Sequence, residues 1–249
     1  MAKPLIIDAD GHILEPPDTY ERYIEPKYRS RAMRIREDER GLEYLEVDRK
    51  PSFMIRGGCL GNLGGAYQNS QELFTPGKRK YWEVAQKTPG GIDPDARVRE
   101  MDEQGIDVAI LYPTLGIVWE EDCTDPELSA AYTRAYNDFV IEFCSQHPDR
   151  LKPIAHINLR DVGLAVAEVE RVKDKVVGLF YTPFPGNGRS PGNAITIGFG
   201  ARRWPSTFPS QLMSRDGPRS MDTRFMLKAR PGSISCSFPA KRSSRSIAS

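Results

Sequence analysis

Ile106-Asp107-Val108-Ala109-Ile110-Leu111-Tyr112-Pro113-Thr114 is the stretch that decides the fold. The near-continuous apolar run from Ile106 to Tyr112 reads as a strand buried on both faces, with Pro113-Thr114-Leu115-Gly116 as the loop at its C-terminal end. Upstream, Asp93-Pro94 opens a helix with an N-cap and a first-turn proline; Val98 and Met101 lie on its apolar face, and Gly105 stops it. Downstream, Asp125-Pro126 opens a long helix to about Gln146, ended by Pro148. Its buried stripe is Leu128, Tyr132, Ala135, Tyr136, Phe139 and Phe143. Leu151 to Leu159 then reads as a strand, Asp161 to Lys173 as a helix and Val176 to Thr182 as another strand. Strands alternating with helices make a parallel sheet flanked by helices, and a doubly wound sheet and a (β/α)8 barrel both fit.

The start of the chain favours the barrel. Pro4 to Ile7 is apolar and reads as a short buried strand leading into Asp8-Ala9-Asp10-Gly11-His12-Ile13-Leu14-Glu15-Pro16. Alternate strand residues share a face, so Asp10 and His12 point the same way, and a carboxylate beside an imidazole suits one divalent metal ion. Barrel sites sit at the C-terminal ends of the strands, where this pair falls. Between it and the clear βα pattern lies a long irregular stretch, residues 14–91, charged from Arg29 to Arg40 and then Gly-rich from Gly57 to Gly65. Leu42 to Val47 and Ser52 to Ile55 suit a small hairpin within it. A loop of this length reads either as a lid or binding element or as a plain surface excursion. Tyr112, Trp119 and the Gly57–Gly65 loop are candidate pocket walls, and ordinary core or surface positions equally.

Several motifs occur together in order: Ile7-Asp8-Ala9-Asp10-Gly11-His12-x-x-Glu15-Pro16, Ala96-Arg97-x-x-x-Met101-Asp102-x-x-Gly105-Ile106-Asp107-Val108, Leu111-Tyr112-Pro113-Thr114, Ala135-Tyr136-Asn137-Asp138-Phe139 and Pro148-Asp149-Arg150-Leu151. This series resembles the amidohydrolase-related proteins, in the branch akin to aminocarboxymuconate-semialdehyde decarboxylase. The resemblance implies an α/β fold, a TIM-like barrel holding one divalent metal, zinc first and manganese second. It also implies hydrolysis or decarboxylation of a small organic substrate without an organic cofactor, and a parent family that is often homo-oligomeric. Many members place two His around one residue on the first strand; here Asp10 takes the first position and His12 the second. A middle-strand His and a last-strand Asp complete the family's site. The chain has only three His: His12, His147, which reads as structural or exposed beside Pro148, and His156, which reads as mid-strand. Glu15 is a candidate for a supporting position around the metal, His156 reads as a core or supporting residue in preference to a ligand, and no catalytic residue is assigned.

The family pattern stops after Gly192. The chain is thus expected to form about the first four βα units of a barrel over residues 1–193, followed by an irregular tail over 194–249. The tail holds ten Lys/Arg and two Asp/Glu, leaving 25 basic and 32 acidic residues before it, so a net charge of +1 conceals an acidic domain and a basic Ser/Arg/Pro-rich tail. Codons built across successive residues from Ala194 permit Asp-Tyr-Asp-Arg-Leu-Trp and, further on, Pro-x-x-x-His, the features the family would show here. The tail accordingly reads as out of frame and disordered, and the copy as inactive. The alternative is a non-enzymatic fragment or binding protein whose basic tail contacts nucleic acid; a small-molecule substrate is the preferred partner. Cys59, Cys123, Cys144 and Cys236 form no Cys-x-x-Cys pair, and no apolar stretch suits a membrane span or signal peptide, which points to a cytoplasmic protein.

Overall fold

The computed structural model describes residues 4–63 and 75–182. The tail over 194–249, with Cys236, lies outside the described residues, as do Gly64 and Gly65 of the Gly-rich loop. Four strands, β1 (Ile7–His12), β5 (Val108–Tyr112), β6 (Leu151–His156) and β7 (Gly178–Phe180), form a parallel sheet in the order β1-β5-β6-β7. The connecting helices are α3 (Pro94–Gln104), α4 (Pro126–Ser145) and α5 (Val162–Val172). Each begins on an aspartate that accepts backbone N–H bonds: Asp93 from Ala96, Asp125 from Glu127 and Leu128, and Asp161 from Leu164. Gly105 ends α3 in the left-handed region, at φ 71°, where a side chain would be strained.

The two faces of the sheet follow strand alternation. Ala109, Leu111 and Leu151 pack with the α4 residues Leu128, Tyr136 and Phe139, and Ala155 and Leu179 pack with Ala165 and Val169 of α5. The opposite series, Tyr112, Ile154 and Phe180 with Ile110 and Val177, forms a separate cluster on the inner face.

Residues 14–91 hold more regular structure than the sequence pattern indicates. They carry α1 (Thr19–Tyr23), a three-stranded antiparallel sheet of β2 (Arg34–Glu37), β3 (Glu43–Val47) and β4 (Lys50–Pro51), and α2 (Tyr81–Lys87). Tyr20, Ile24, Met33, Leu45, Leu60 and Tyr81 are buried in the same core as α4. The expected hairpin is corrected: β3 pairs with β2 and with the two-residue β4, joined by Asp48 and Arg49 at positive φ. β2 escapes a hydrophobic reading because three of its four residues are charged; its ends are held by Arg34–Glu21 and Arg36–Glu46 ion pairs.

Two further expectations are corrected. The apolar run Pro4–Ile7 is not a buried strand: β1 starts at Ile7, and Leu5, Ile6 and Ile7 are exposed. The reason is position, because β1 pairs only with β5 among the described residues and is an edge strand. β6 ends at His156, so His156 stands at the strand's C-terminal end and not mid-strand.

Candidate functional site

β1 reaches its site through an irregularity. Asp8 pairs with Ala109 and Gly11 with Leu111, so β1 carries one residue more than β5 between these positions. Glycine relieves a close approach at position 11, where a Cβ would lie 2.9 Å from the Asp8 carboxylate and 3.0 Å from the Ile110 carbonyl. Asp8 accepts the Asp10 N–H at 3.1 Å and shapes the same turn of chain.

The structure brings Asp10 and His12 together: an Asp10 Oδ1 lies 3.9 Å from His12 Nε2. The Pro113 carbonyl, 2.7 Å from His12 Nδ1, accepts a hydrogen bond from it. A carbonyl can only accept, so Nδ1 carries the proton and the Nε2 lone pair is left facing Asp10, the tautomer a metal-binding imidazole needs. From α3, Arg97 donates to the His12 carbonyl at 2.5 Å, and burial holds its guanidinium below the ordinary arginine range. Tyr112 stacks obliquely on the His12 ring; burial and the Asp10 charge push its phenol up to about 12.

Glu15 lies at the foot of this arrangement. It is fully buried, and its carboxylate accepts the backbone N–H groups of Thr114, Leu115 and Gly116 at 2.9 to 3.3 Å. Burial raises its pKa, and these amides pull it back only in part. Glu15 thus clamps the loop after β5, the loop whose Pro113 carbonyl orients His12.

His156 is bound differently. Its Nε2 lies 2.5 Å from Glu120 Oε1, with both side chains buried. The Asn137 side chain holds the His156 peptide from both sides, accepting its N–H at 2.7 Å and donating to its carbonyl at 3.0 Å. His147 pairs with Asp95 at the surface, far along the chain from any ligand position. Cys59, Cys123 and Cys144 are free thiols.

Asp10 and His12 fit one edge of a metal site. Two donors about 2.1 Å from one ion at a tetrahedral angle stand about 3.4 Å apart, and the exposed Asp10 side chain has room to close from 3.9 Å. The site is not completed: no group of three His, Cys, Asp or Glu suited to an ion occurs among the described residues. Two protein ligands fall short of the three that a catalytic ion takes, so no chemical step is derived through a metal.

A solved amidohydrolase from Mycobacterium avium subsp. paratuberculosis matches with a TM-score of 0.59 and 24% identity, over 78% of this chain and 55% of that one. The chain shares its fold with about half of this solved amidohydrolase. Lower scores relate the chain to 2,6-dihydroxybenzoate decarboxylase from Rhizobium (TM-score 0.47, 17% identity, 80% of this chain and 46% of that one). The same holds for 5-carboxyvanillate decarboxylase from Novosphingobium aromaticivorans, solved with manganese and 4-hydroxy-3-methoxy-5-nitrobenzoic acid (TM-score 0.47, 17% identity, 78% and 45%). The chain spans about half the length of the solved structures it matches. No family model matches it, and no curated protein does. β1, β5, β6 and β7 run parallel; His12 ends β1, His156 ends β6, and Glu120 lies in the connection after β5, so the Asp10–His12 and Glu120–His156 pairs each fall toward the C-terminal ends of these strands.

The roles of Arg97, Thr114 and Glu120 are not visible in the sequence: Arg97 and Thr114 fall within the family-like motifs, but their partners, the His12 carbonyl and the Glu15 carboxylate, lie 85 and 99 residues away. Glu120 carries a weak signal, as the first of three consecutive acids after the run Leu115–Trp119.

Proposed function

We propose that this chain carries part of an amidohydrolase-related metal-dependent enzyme, a hydrolase or carboxy-lyase of a small organic substrate, and that Asp10 and His12 are two of its metal ligands. The observation that supports this most directly is His12: its Nδ1 is pinned by the Pro113 carbonyl, and its Nε2 faces a carboxylate at the C-terminal end of β1. Glu15 is then a positioning residue, holding the loop that orients the ligand. Zinc and manganese are both compatible with one carboxylate and one imidazole.

As written, the chain is expected to be inactive, because two ligands do not retain an ion through turnover. The test is metal analysis of the full-length chain after equilibration with Zn²⁺ or Mn²⁺ and dialysis, with titration of the same samples. Weak binding that Asp10→Asn and His12→Gln each abolish is expected. A stoichiometric ion that survives dialysis overturns the inactivity; weak binding untouched by either substitution overturns the ligand assignment. Residues 194–249 are read as translated out of frame, and the nucleotide sequence around codon 193 decides that point: an open frame with no insertion or deletion refutes it.

A further inference from the structure

We propose that Glu120 and His156 form a proton-handling pair, in which Glu120 orients the imidazole and Nδ1 of His156 exchanges a proton with a water or hydroxyl group of a small ligand. The proposal deepens the enzymatic reading given above and rests on it for its setting, but its geometry stands apart from Asp10 and His12.

The first argument is placement. Glu120 lies in the connection leaving β5, and His156 is the last residue of β6, so both belong to the end of the sheet where barrel chemistry sits. By alternation His156 shares the series of Ile154, and it pairs in register with Phe180 of the inner-face cluster. The second argument is hydrogen bonding. An ionised carboxylate only accepts, so the 2.5 Å contact makes Nε2 the donor and leaves Nδ1 with a bare lone pair. That Nδ1 is buried and, among the described residues, has no hydrogen-bond partner. An unsatisfied buried polar atom is costly, and the neighbouring rings carry two further polar atoms unmet among the described residues, Trp119 Nε1 and Tyr136 OH, so a small polar group bound here would meet several partners at once.

The third argument is that the pair is held in place by its surroundings. Asn137 fixes the His156 peptide on both sides and is itself tied to Glu168 at 2.6 Å. Arg160 donates to the Glu120 carbonyl at 3.1 Å. Trp119, Tyr136 and Phe180 surround the imidazole, with ring centroids 5.2 to 6.3 Å away. Well-packed apolar residues commonly match or exceed a buried ionisable pair in stability, so packing alone gives little reason to keep this one. A carboxylate on one imidazole nitrogen with the other left free is the arrangement of a general base with its orienting group. In the transfer, an O–H bond of the ligand breaks and an Nδ1–H bond forms. The imidazolium shares its Nε2 proton with Glu120, and the reverse transfer returns the proton to product or water.

The test is acylation of the folded full-length chain by diethyl pyrocarbonate, mapped by mass spectrometry, with the imidazole tautomers read by nitrogen NMR. His156 is expected as the Nε2–H tautomer and is expected to be acylated reversibly while the circular dichroism stays native. Glu120→Gln should slow its acylation at least fivefold and leave His12 and His147 unchanged; Glu120→Asp, which keeps the charge, should restore most of the rate. A His156 that stays unmodified while His12 and His147 react to completion overturns the proposal, as does an identical rate in Glu120→Gln. The metal titrations of His12→Gln address the ligand pair separately, so either reading can fail without the other.

Discussion

Replacing Glu15 by alanine tests whether its carboxylate organises the candidate site. Truncation leaves the N–H groups of Thr114, Leu115 and Gly116 buried without their acceptor. Each buried donor left unmet costs about 1–3 kcal/mol. The three share one acceptor and water can enter the vacated space, so the sum is smaller than three full penalties. A loss of about 3–4 kcal/mol follows, a large fraction of the ~5–15 kcal/mol that holds a typical domain together. Glu15→Gln keeps one acceptor oxygen but turns an amide NH2 toward backbone donors, so it should fall between wild type and alanine. Urea unfolding of the full chain, followed by circular dichroism, gives both numbers. The two variants also differ in pH response. Burial raises the Glu15 carboxyl, so its contribution to stability is fully present below the unfolded glutamate value of about 4.3 and fades as pH rises through the folded value. Glu15→Gln should remove that slope. A destabilisation below about 1 kcal/mol for Glu15→Ala, against the cost expected for unmet buried donors, would refute the clamp.

Asp48 gives the opposite pH dependence: its bonds to Arg31 hold it below the usual carboxylate range, so its contribution is present above about pH 4 and is lost as pH falls through the folded value. Asp48→Asn should flatten the acid limb of a stability profile measured from pH 5 to 2, and an unchanged limb would count against the pair. Asn137→Ala removes both hydrogen bonds to the His156 peptide and should cost about 2–3 kcal/mol in the same urea assay; a cost near zero would show that α4 does not fix the end of β6. Ile7→Lys, placed on the exposed edge strand, should raise the soluble yield and lower light scattering, and an unchanged solubility limit would show that this edge does not drive association.

What the sequence made legible was local. The aspartate caps of α3, α4 and α5, the Gly105 stop and the buried stripe of α4 each depend on residues within one or two turns, and all are present. The βα alternation followed from the same signals. β2 was not legible because its stability comes from cross-strand partners in β3 and from ion pairs with residues on other elements, which no window of sequence contains. At the site, the proximity of Asp10 to His12 could be read from alternation, whereas the Glu120–His156 contact joins a loop residue after β5 to the end of β6, 36 positions away. Glu15 could be singled out by its motif, but its acceptance of three amides depends on the fold of the loop after β5.

The exposed apolar run and the open edge of the proposed metal site have one cause. In a closed barrel every stave has two neighbours; among the described residues β1 has only β5. Ile7, at the start of β1, is therefore half exposed, at 52%. Asp10, on the same strand, is left with a side chain that is 75% exposed. A carboxylate in that setting is surrounded by water, which screens its attraction for a cation and competes for the same coordination positions. His12 is better prepared, with its tautomer set and its carbonyl held by Arg97, so under the proposed ligand assignment one prepared ligand stands beside a hydrated one, and weak binding is expected. The buried Glu120–His156 pair does not face this limit. Its walls come from the connection after β5, from β6, β7 and α4, all within the described residues, so the setting of this pair does not depend on the open edge of β1.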